Sequence, residues 1–109
     1  MTKITVFQDK NQNYMGFDCT GHAGYANAGS DIVCAGISIL VQSTINAIEA
    51  YTDEGFSGEA DERSGDIHFR FTDMPGHDAT LLIQSMILGL QGIQSSYGKN
   101  FLRLQFKEV

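Results

Sequence analysis

Between Asp31 and about Tyr51, apolar residues recur at spacings of three and four over a stretch too long for a β-strand. This period is typical of an amphipathic helix with one broad apolar face. Asp31 stands directly before the pattern and has the side chain that suits a helix N-cap. Because such a face must be covered by other elements, the pattern predicts a layered fold around one core.

Alternating polar and apolar residues predict the strands of this fold. We expect a β-hairpin at residues 3–7 and 13–20, because turn-forming residues separate the two segments. A second pair of strands is expected at about 56–62 and 66–72, and a last strand at 101–106. Each of these segments has the length and the turn-rich borders of a half-buried strand.

A second helix is predicted up to about Tyr97, with either His77 or Asp78 as its cap. Gly89 and Gly92 weaken this helix, so we expect them to permit close packing, for instance against the first helix. The order of elements is then β-β-α-β-β-α-β. It predicts an α+β fold, a two-layer sandwich in which two helices cover one face of a mixed β-sheet.

The length and charge of the chain restrict its class. With 109 residues it can form one domain, residues 1–109, that buries its own core. No apolar run approaches the roughly 20 residues that span a bilayer, and the N-terminus lacks the apolar segment of a secretory signal. We therefore expect a cytoplasmic protein without a membrane partner. The net charge of −6 argues against a nucleic-acid partner and is compatible with a basic one.

Reactive side chains come together around a run rich in glycine and alanine, residues 21–30, which has no period and predicts a loop. If Asp31 is the N-cap, Cys34 is the third residue of the helix, where the helix dipole favours a thiolate. His22, twelve residues upstream, has the chemistry to take the thiol proton and to return it to a leaving amine. Backbone N–H groups at the helix start, including that of Cys34, are candidate donors to an oxyanion.

Each of these residues also has a simpler interpretation. Cys34 is compatible with a small buried apolar residue, His22 with a turn residue, and Asp31 with a plain N-cap. Ser38, one turn below the thiol, is compatible with a helix surface residue. A metal site formed by His22, Cys34 and His68 matches no zinc spacing, so we expect no metal.

Two segments, Gly21–Ala23 and Asp31–Ser38, resemble the signature of the ribosomal-processing cysteine protease family, Prp. The spacing of the histidine and the cysteine, the glycine-rich loop between them and the order of elements are similar as well. The resemblance therefore extends over essentially the whole chain. It implies the two-layer fold described above and a protease without a cofactor.

The resemblance also implies roles for individual residues. His22 and Cys34 would form the catalytic dyad, while Gly21, Asp31 and Ser38 would support it, with Asp31 orienting the histidine. The residues expected to contact substrate in the loop are Ala23, Gly24, Tyr25, Ala26, Asn27, Ala28, Gly29 and Ser30.

The function implied by the resemblance is removal of a short N-terminal extension from large-subunit ribosomal protein twenty-seven, by a homodimeric enzyme. Two other functions stay open on the residues alone. The chain is compatible with a non-catalytic, ribosome-associated module that binds the same extension. It is also compatible with a thiol redox sensor in which Cys19 resolves an oxidised Cys34, although the strand register of Cys19 predicts that its side chain is buried.

Overall fold

The helical pattern in the first half of the chain forms a helix that begins after Asp31 and ends at Tyr51, as predicted. A computed structural model describes residues 1–24, 26–27 and 31–109 of the protein. The elements are β1 (Thr2–Gln8), β2 (Tyr14–Thr20), α1 (Ile32–Tyr51), β3 (Phe56–Ala60), β4 (Ile67–Phe71), α2 (His77–Tyr97) and β5 (Leu102–Glu108).

The five strands form one mixed sheet in the order β3-β4-β2-β1-β5. Strands β1 and β2 form the predicted hairpin, and β2–β4 and β3–β4 are also antiparallel pairs. Only β1 and β5, which are far apart in the sequence, pair in parallel within the described chain. The predicted α+β sandwich, with a mixed sheet and two helices, is confirmed.

The core lies between the sheet and the two helices. The Phe69 ring is at its centre, because it stacks on Phe17 at 5.1 Å and on Phe56 at 4.9 Å between ring centroids. The buried side chains that the helices contribute are Val33, Ile37, Val41, Thr44 and Ile48 from α1 and Ala79, Ile83, Met86, Ile87 and Leu90 from α2.

Helix α1 is long and apolar enough, by length and composition, to cross a membrane, which the sequence had not led us to expect. In the structure its apolar stripe, which includes Val33, Ile37 and Val41, is buried against the sheet and α2. The core helix of a folded domain passes the same test, because a broad apolar face gives a similar composition.

Helix α2 begins differently from the prediction. Neither His77 nor Asp78 is the N-cap: that position belongs to Gly76, which has no side chain to bond the first turn. Instead, the Glu54 carboxylate accepts the backbone N–H of Gly76 at 2.7 Å. The His77 ring bonds the Asp78 side chain at 3.0 Å. Because Glu54 is 22 positions away from Gly76, this cap was not visible as a local pattern.

Candidate active site

The Cys34 thiol lies at the start of α1, in the position that the sequence predicts. Asp31 is the N-cap, and its Oδ1 accepts the backbone N–H of Cys34 at 2.9 Å. The backbone carbonyl of Asp31 accepts the N–H of Ala35 at 3.1 Å, which closes the first turn. Cys34 is the third residue of the helix and is half-buried, so its side chain is close to the positive end of the helix dipole.

The cap changes the expectation for an oxyanion site. The Cys34 N–H, which we had considered as a donor, already donates to Asp31. Because an oxyanion needs preorganised donors that are available when the charge develops, the Cys34 N–H can act as such a donor only if it gives up this bond.

His22 follows a backbone segment that is held by residues far away in sequence. Gly21 has a φ of +80°, and a side chain there would come within 2.5 Å of the Met1 carbonyl oxygen. Its N–H donates to Asp66 Oδ1 at 3.2 Å. Gly65 lies beside the imidazole, because a Cβ at that position would be 4.0 Å from His22 Cε1. The β3–β4 turn thus supports the start of the histidine loop.

Asp66 and Gly65 were missed when only the sequence was considered. Their proximity to His22 depends on the pairing of β2 with β4, which aligns Cys19 with Ile67. A weak signal in the sequence was the turn glycine itself, because a position with φ of +78° favours glycine.

His22 and Cys34 line the same cavity, which has a volume of about 420 Å³. Of the predicted supporting residues, Asp31 and Ser38 border this cavity as well, whereas Gly21 borders a smaller adjoining cavity. Among the described residues, no hydrogen bond joins the His22 ring to Cys34 or to another side chain. The lining residues are His22, Gly24, Ala26, Asp31, Cys34, Ala35 and Ser38.

The loop residues expected to contact substrate fall into four groups. Gly24 and Ala26 line the cavity, whereas Asn27 is exposed. Ala23 is buried in the core, so its side chain anchors the loop and is not available to a substrate in this structure. The remaining predicted loop residues, Tyr25, Ala28, Gly29 and Ser30, lie outside the described residues.

Cys19 is buried beneath this site, as its strand register predicts. It shares with Cys34 the lining of the smaller cavity, which has a volume of about 160 Å³. Burial, with the nearby charges of Asp66 and Cys34 as smaller causes, raises the pKa of the Cys19 thiol to about 11. A buried thiol with this pKa is a poor resolving group, because thiol exchange requires the thiolate.

His68 is not part of the site. Its Nδ1 lies 2.9 Å from Asp18 Oδ1, and both residues belong to the face of the sheet opposite the helices. His22 and Cys34 border a cavity on the helix side. The metal site considered from these three residues is therefore not assembled in the structure.

Comparison with known proteins places this geometry in a family. The family described as "Cysteine protease Prp" matches residues 1–102. The ribosomal processing cysteine protease Prp of Staphylococcus aureus is 38% identical over 87 residues, which is 80% of this chain and 81% of that one. The protein of the same name from Bacillus subtilis is 32% identical over 106 residues, covering 92% and 93% of the two chains.

Solved structures agree with the sequence comparison. S. aureus Prp in complex with a covalently linked product peptide is similar at a TM-score of 0.93, with 31% identity over 98% of this chain and 100% of that one. The same enzyme with a substrate peptide gives a TM-score of 0.87 and 30% identity, with the same coverage. Sequence and fold thus agree over almost the whole length, and the chain is a cysteine protease that belongs to the Prp family.

Proposed function

We propose that this protein is an endopeptidase that removes the N-terminal extension of large-subunit ribosomal protein twenty-seven, with Cys34 as nucleophile and His22 as base. The observation that carries the proposal is that both side chains line one cavity at the N-terminus of α1. The S. aureus relative has been seen with a substrate peptide and with a covalently linked product peptide, and both support a peptide substrate.

The proposed reaction begins when the His22 imidazole accepts the Cys34 thiol proton and the thiolate attacks the scissile carbonyl carbon. The carbonyl oxygen becomes an oxyanion near the first-turn N–H groups of α1. Collapse breaks the C–N bond, and the imidazolium gives its proton to the leaving amine. A water then attacks the thioester with His22 as base, which releases the carboxylate product and restores the thiol.

Charge supports a ribosomal protein as partner. The chain has a net charge of −6, and ribosomal proteins are basic, so long-range attraction would raise the rate of encounter. The proposal sets this reaction in the cytoplasm, where ribosomal subunits are assembled, and it requires no metal or cofactor.

We also propose that the enzyme is a homodimer that packs through the outer surface of its helices. Ile32 and Ile39 on α1, and Leu81 and Leu88 on α2, are spaced by seven and are each more than half exposed. Residues seven apart lie on one face of a helix, so each helix presents an apolar pair outwards. Sedimentation equilibrium measures the association directly, and a monomer at micromolar concentration would contradict this part of the proposal.

The cleavage test is mass spectrometry of the extended ribosomal protein after incubation with enzyme. We expect one N-terminal truncation with the wild-type protein and none with Cys34→Ala, because only the wild type can form the thioester. Cys19→Ala is the matched control, since it removes the other thiol without touching the nucleophile, and it should still cleave.

The same experiment separates the two other functions. An intact substrate with folded, reduced wild-type protein would favour a binding module. With peroxide added, a disulfide between Cys19 and Cys34 in the wild-type protein would favour a redox sensor, whereas a peroxide-insensitive activity in Cys19→Ala would leave that function without its resolving thiol. The burial of Cys19 and its raised pKa argue against a redox sensor.

A further inference from the structure

The cavity that holds the thiol continues along α1. The smaller cavity is bordered by Cys34 and His22 at one end and by Gln42 and Ile67 at the other. A third cavity, of about 410 Å³, is also bordered by Gln42 and Ile67, and it extends to the β3 strand. The three cavities thus adjoin one another through shared lining residues, and together we call them the groove between α1 and the edge of the sheet.

The groove follows from the number of elements in each layer. Packed helices lie about 8–10 Å apart and strands about 4.8 Å apart, so two helices cover roughly four strands. Helix α2 lies over the β5 side, where the Gln94 side chain donates to the Leu102 carbonyl at 3.0 Å. The strand at the opposite edge, β3, is left without a helix over it, and a channel remains beside α1.

The walls of the outer part of this groove suit an extended peptide. Ile45, Phe56 and Ile67 provide apolar surface, and Gly58 has no side chain to fill the space between them. Strand β3 is an edge strand, so backbone groups along its outer side can pair with a further strand. An exposed carboxylate, that of Glu49, also borders the groove and favours a basic residue nearby.

We propose that the outer part of this groove is a second recognition site for the substrate chain, remote from the bond that is cut. It would take an extended segment with one apolar side chain against Ile45 and Phe56 and a basic residue beside Glu49. Ile45 lies 11 residues beyond Cys34 on α1, which corresponds to about 16 Å. At about 3.3 Å per residue, this distance is spanned by about five residues of extended peptide. The inference rests on the proposed function and adds to it that the substrate must extend about five residues from the bond that is cut.

Gly58→Val provides the test, because it fills the groove without disturbing the strand. A Cβ at Gly58 meets only the Phe56 ring, at an ordinary contact distance of 3.8 Å. Valine also favours an extended backbone. Ser57→Val is the matched control: it adds valine at the preceding position of β3, whose side chain points to the opposite face of the sheet.

The measurement is fluorescence anisotropy with a labelled peptide that comprises the first residues, about 20, of the extended ribosomal protein from the same bacterium. Fully extended, it is about 66 Å long, which is several times the distance of about 16 Å from Cys34 to Ile45. Both substitutions are made in Cys34→Ala protein, so that the peptide stays intact. We expect Gly58→Val to weaken binding about tenfold and Ser57→Val to leave it unchanged. Only one end of the peptide should reach the groove. Peptides shortened from that end should bind the two variants equally, whereas peptides shortened from the other end should still bind the Gly58→Val protein more weakly than the Ser57→Val protein.

Equal binding by the two valine variants would overturn the inference, and so would the absence of binding to the Cys34→Ala parent. Circular dichroism and thermal unfolding verify that both variants are folded. Failure of the proposed function is seen separately, as absence of cleavage by the wild-type enzyme. The anisotropy measurement decides the groove in either case, because it does not depend on turnover.

Discussion

Asp31 connects the stability of α1 with the chemistry of the site. Its carboxylate accepts the backbone N–H of Cys34 at 2.9 Å, so the helix cap bonds the residue that we propose as the nucleophile. The bond satisfies a donor that a helix start otherwise leaves without a partner. It also holds a negative charge at the border of the cavity that contains His22. The two roles considered for Asp31 are to cap the helix and to orient His22. They can be separated only by a substitution that keeps one role and removes the other.

We expect Asp31→Ala to lower the free energy of unfolding by about 1 kcal/mol, because it removes the cap. Asp31→Asn should lower it by only a few tenths, since an amide oxygen caps about as well as a carboxylate. Urea unfolding followed by circular dichroism measures both values. An equally large loss in the two variants would show that the charge, and not the cap, is the source of the stability.

At the scale of elements, the two helices approach each other closely through glycine. A Cβ at Gly89 would lie 3.0 Å from two carbons of the Leu40 side chain, and one at Gly36 would lie 3.5 Å from Ile93. The prediction that glycines permit close helix packing is confirmed for Gly89. It is wrong for Gly92, which faces open space. The sequence predicts the same role for both glycines, and only the packing of α1 against α2 distinguishes them.

Gly92→Ala should therefore raise the free energy of unfolding by about 1 kcal/mol, the difference in helix propensity between the two residues. Gly89→Ala is the matched comparison on the same helix, because it gains the same propensity but crowds Leu40. We expect it to lose most or all of the gain. Thermal and urea unfolding of both variants measure the difference. The packing assignment would be wrong if the two alanines stabilised the protein equally.

At the scale of the whole molecule, charges on the open face of the sheet join strands that are distant in sequence. Asp18 on β2 lies 2.8 Å from the Arg70 guanidinium and 2.9 Å from His68, both on β4. Arg70 also lies over the Phe7 ring of β1, at 4.2 Å from its centroid. Burial disfavours the charge of Asp18, but the hydrogen bonds and charges of Arg70 and His68 outweigh it and lower the pKa of this carboxyl.

A lowered pKa in the folded state means that Asp18 stabilises the fold above its ordinary pKa of 3.8 and that this contribution is lost as the pH falls below it. Asp18→Asn should therefore cost up to about 1 kcal/mol at neutral pH, a modest value because the partners are partly exposed. The difference from wild type should shrink below about pH 4. Urea unfolding across this range tests the sign. A difference that grew in acid would contradict the assignment.

Some features of this protein could be predicted from the sequence because they depend on residues within a few positions of each other. The period of α1, its cap at Asp31 and the position of Cys34 in the first turn are set by bonds between residues three or four apart. The β1–β2 hairpin is local as well, since Asp9 bonds Asn11 and Asn13 across the turn. The interpretation of Cys34 as a nucleophile rests on this local geometry.

Other features were decided only by the tertiary structure, because they join residues that no local pattern relates. Asp66 reaches Gly21 across 45 positions, and Glu54 caps α2 in place of the predicted His77 or Asp78. The strand order, which leaves β3 at an edge and opens the groove beside α1, likewise depends on how the whole chain packs. Backbone bonds within a turn are determined by neighbouring residues, whereas long-range pairing depends on which arrangement buries the most apolar surface without leaving polar groups unpaired.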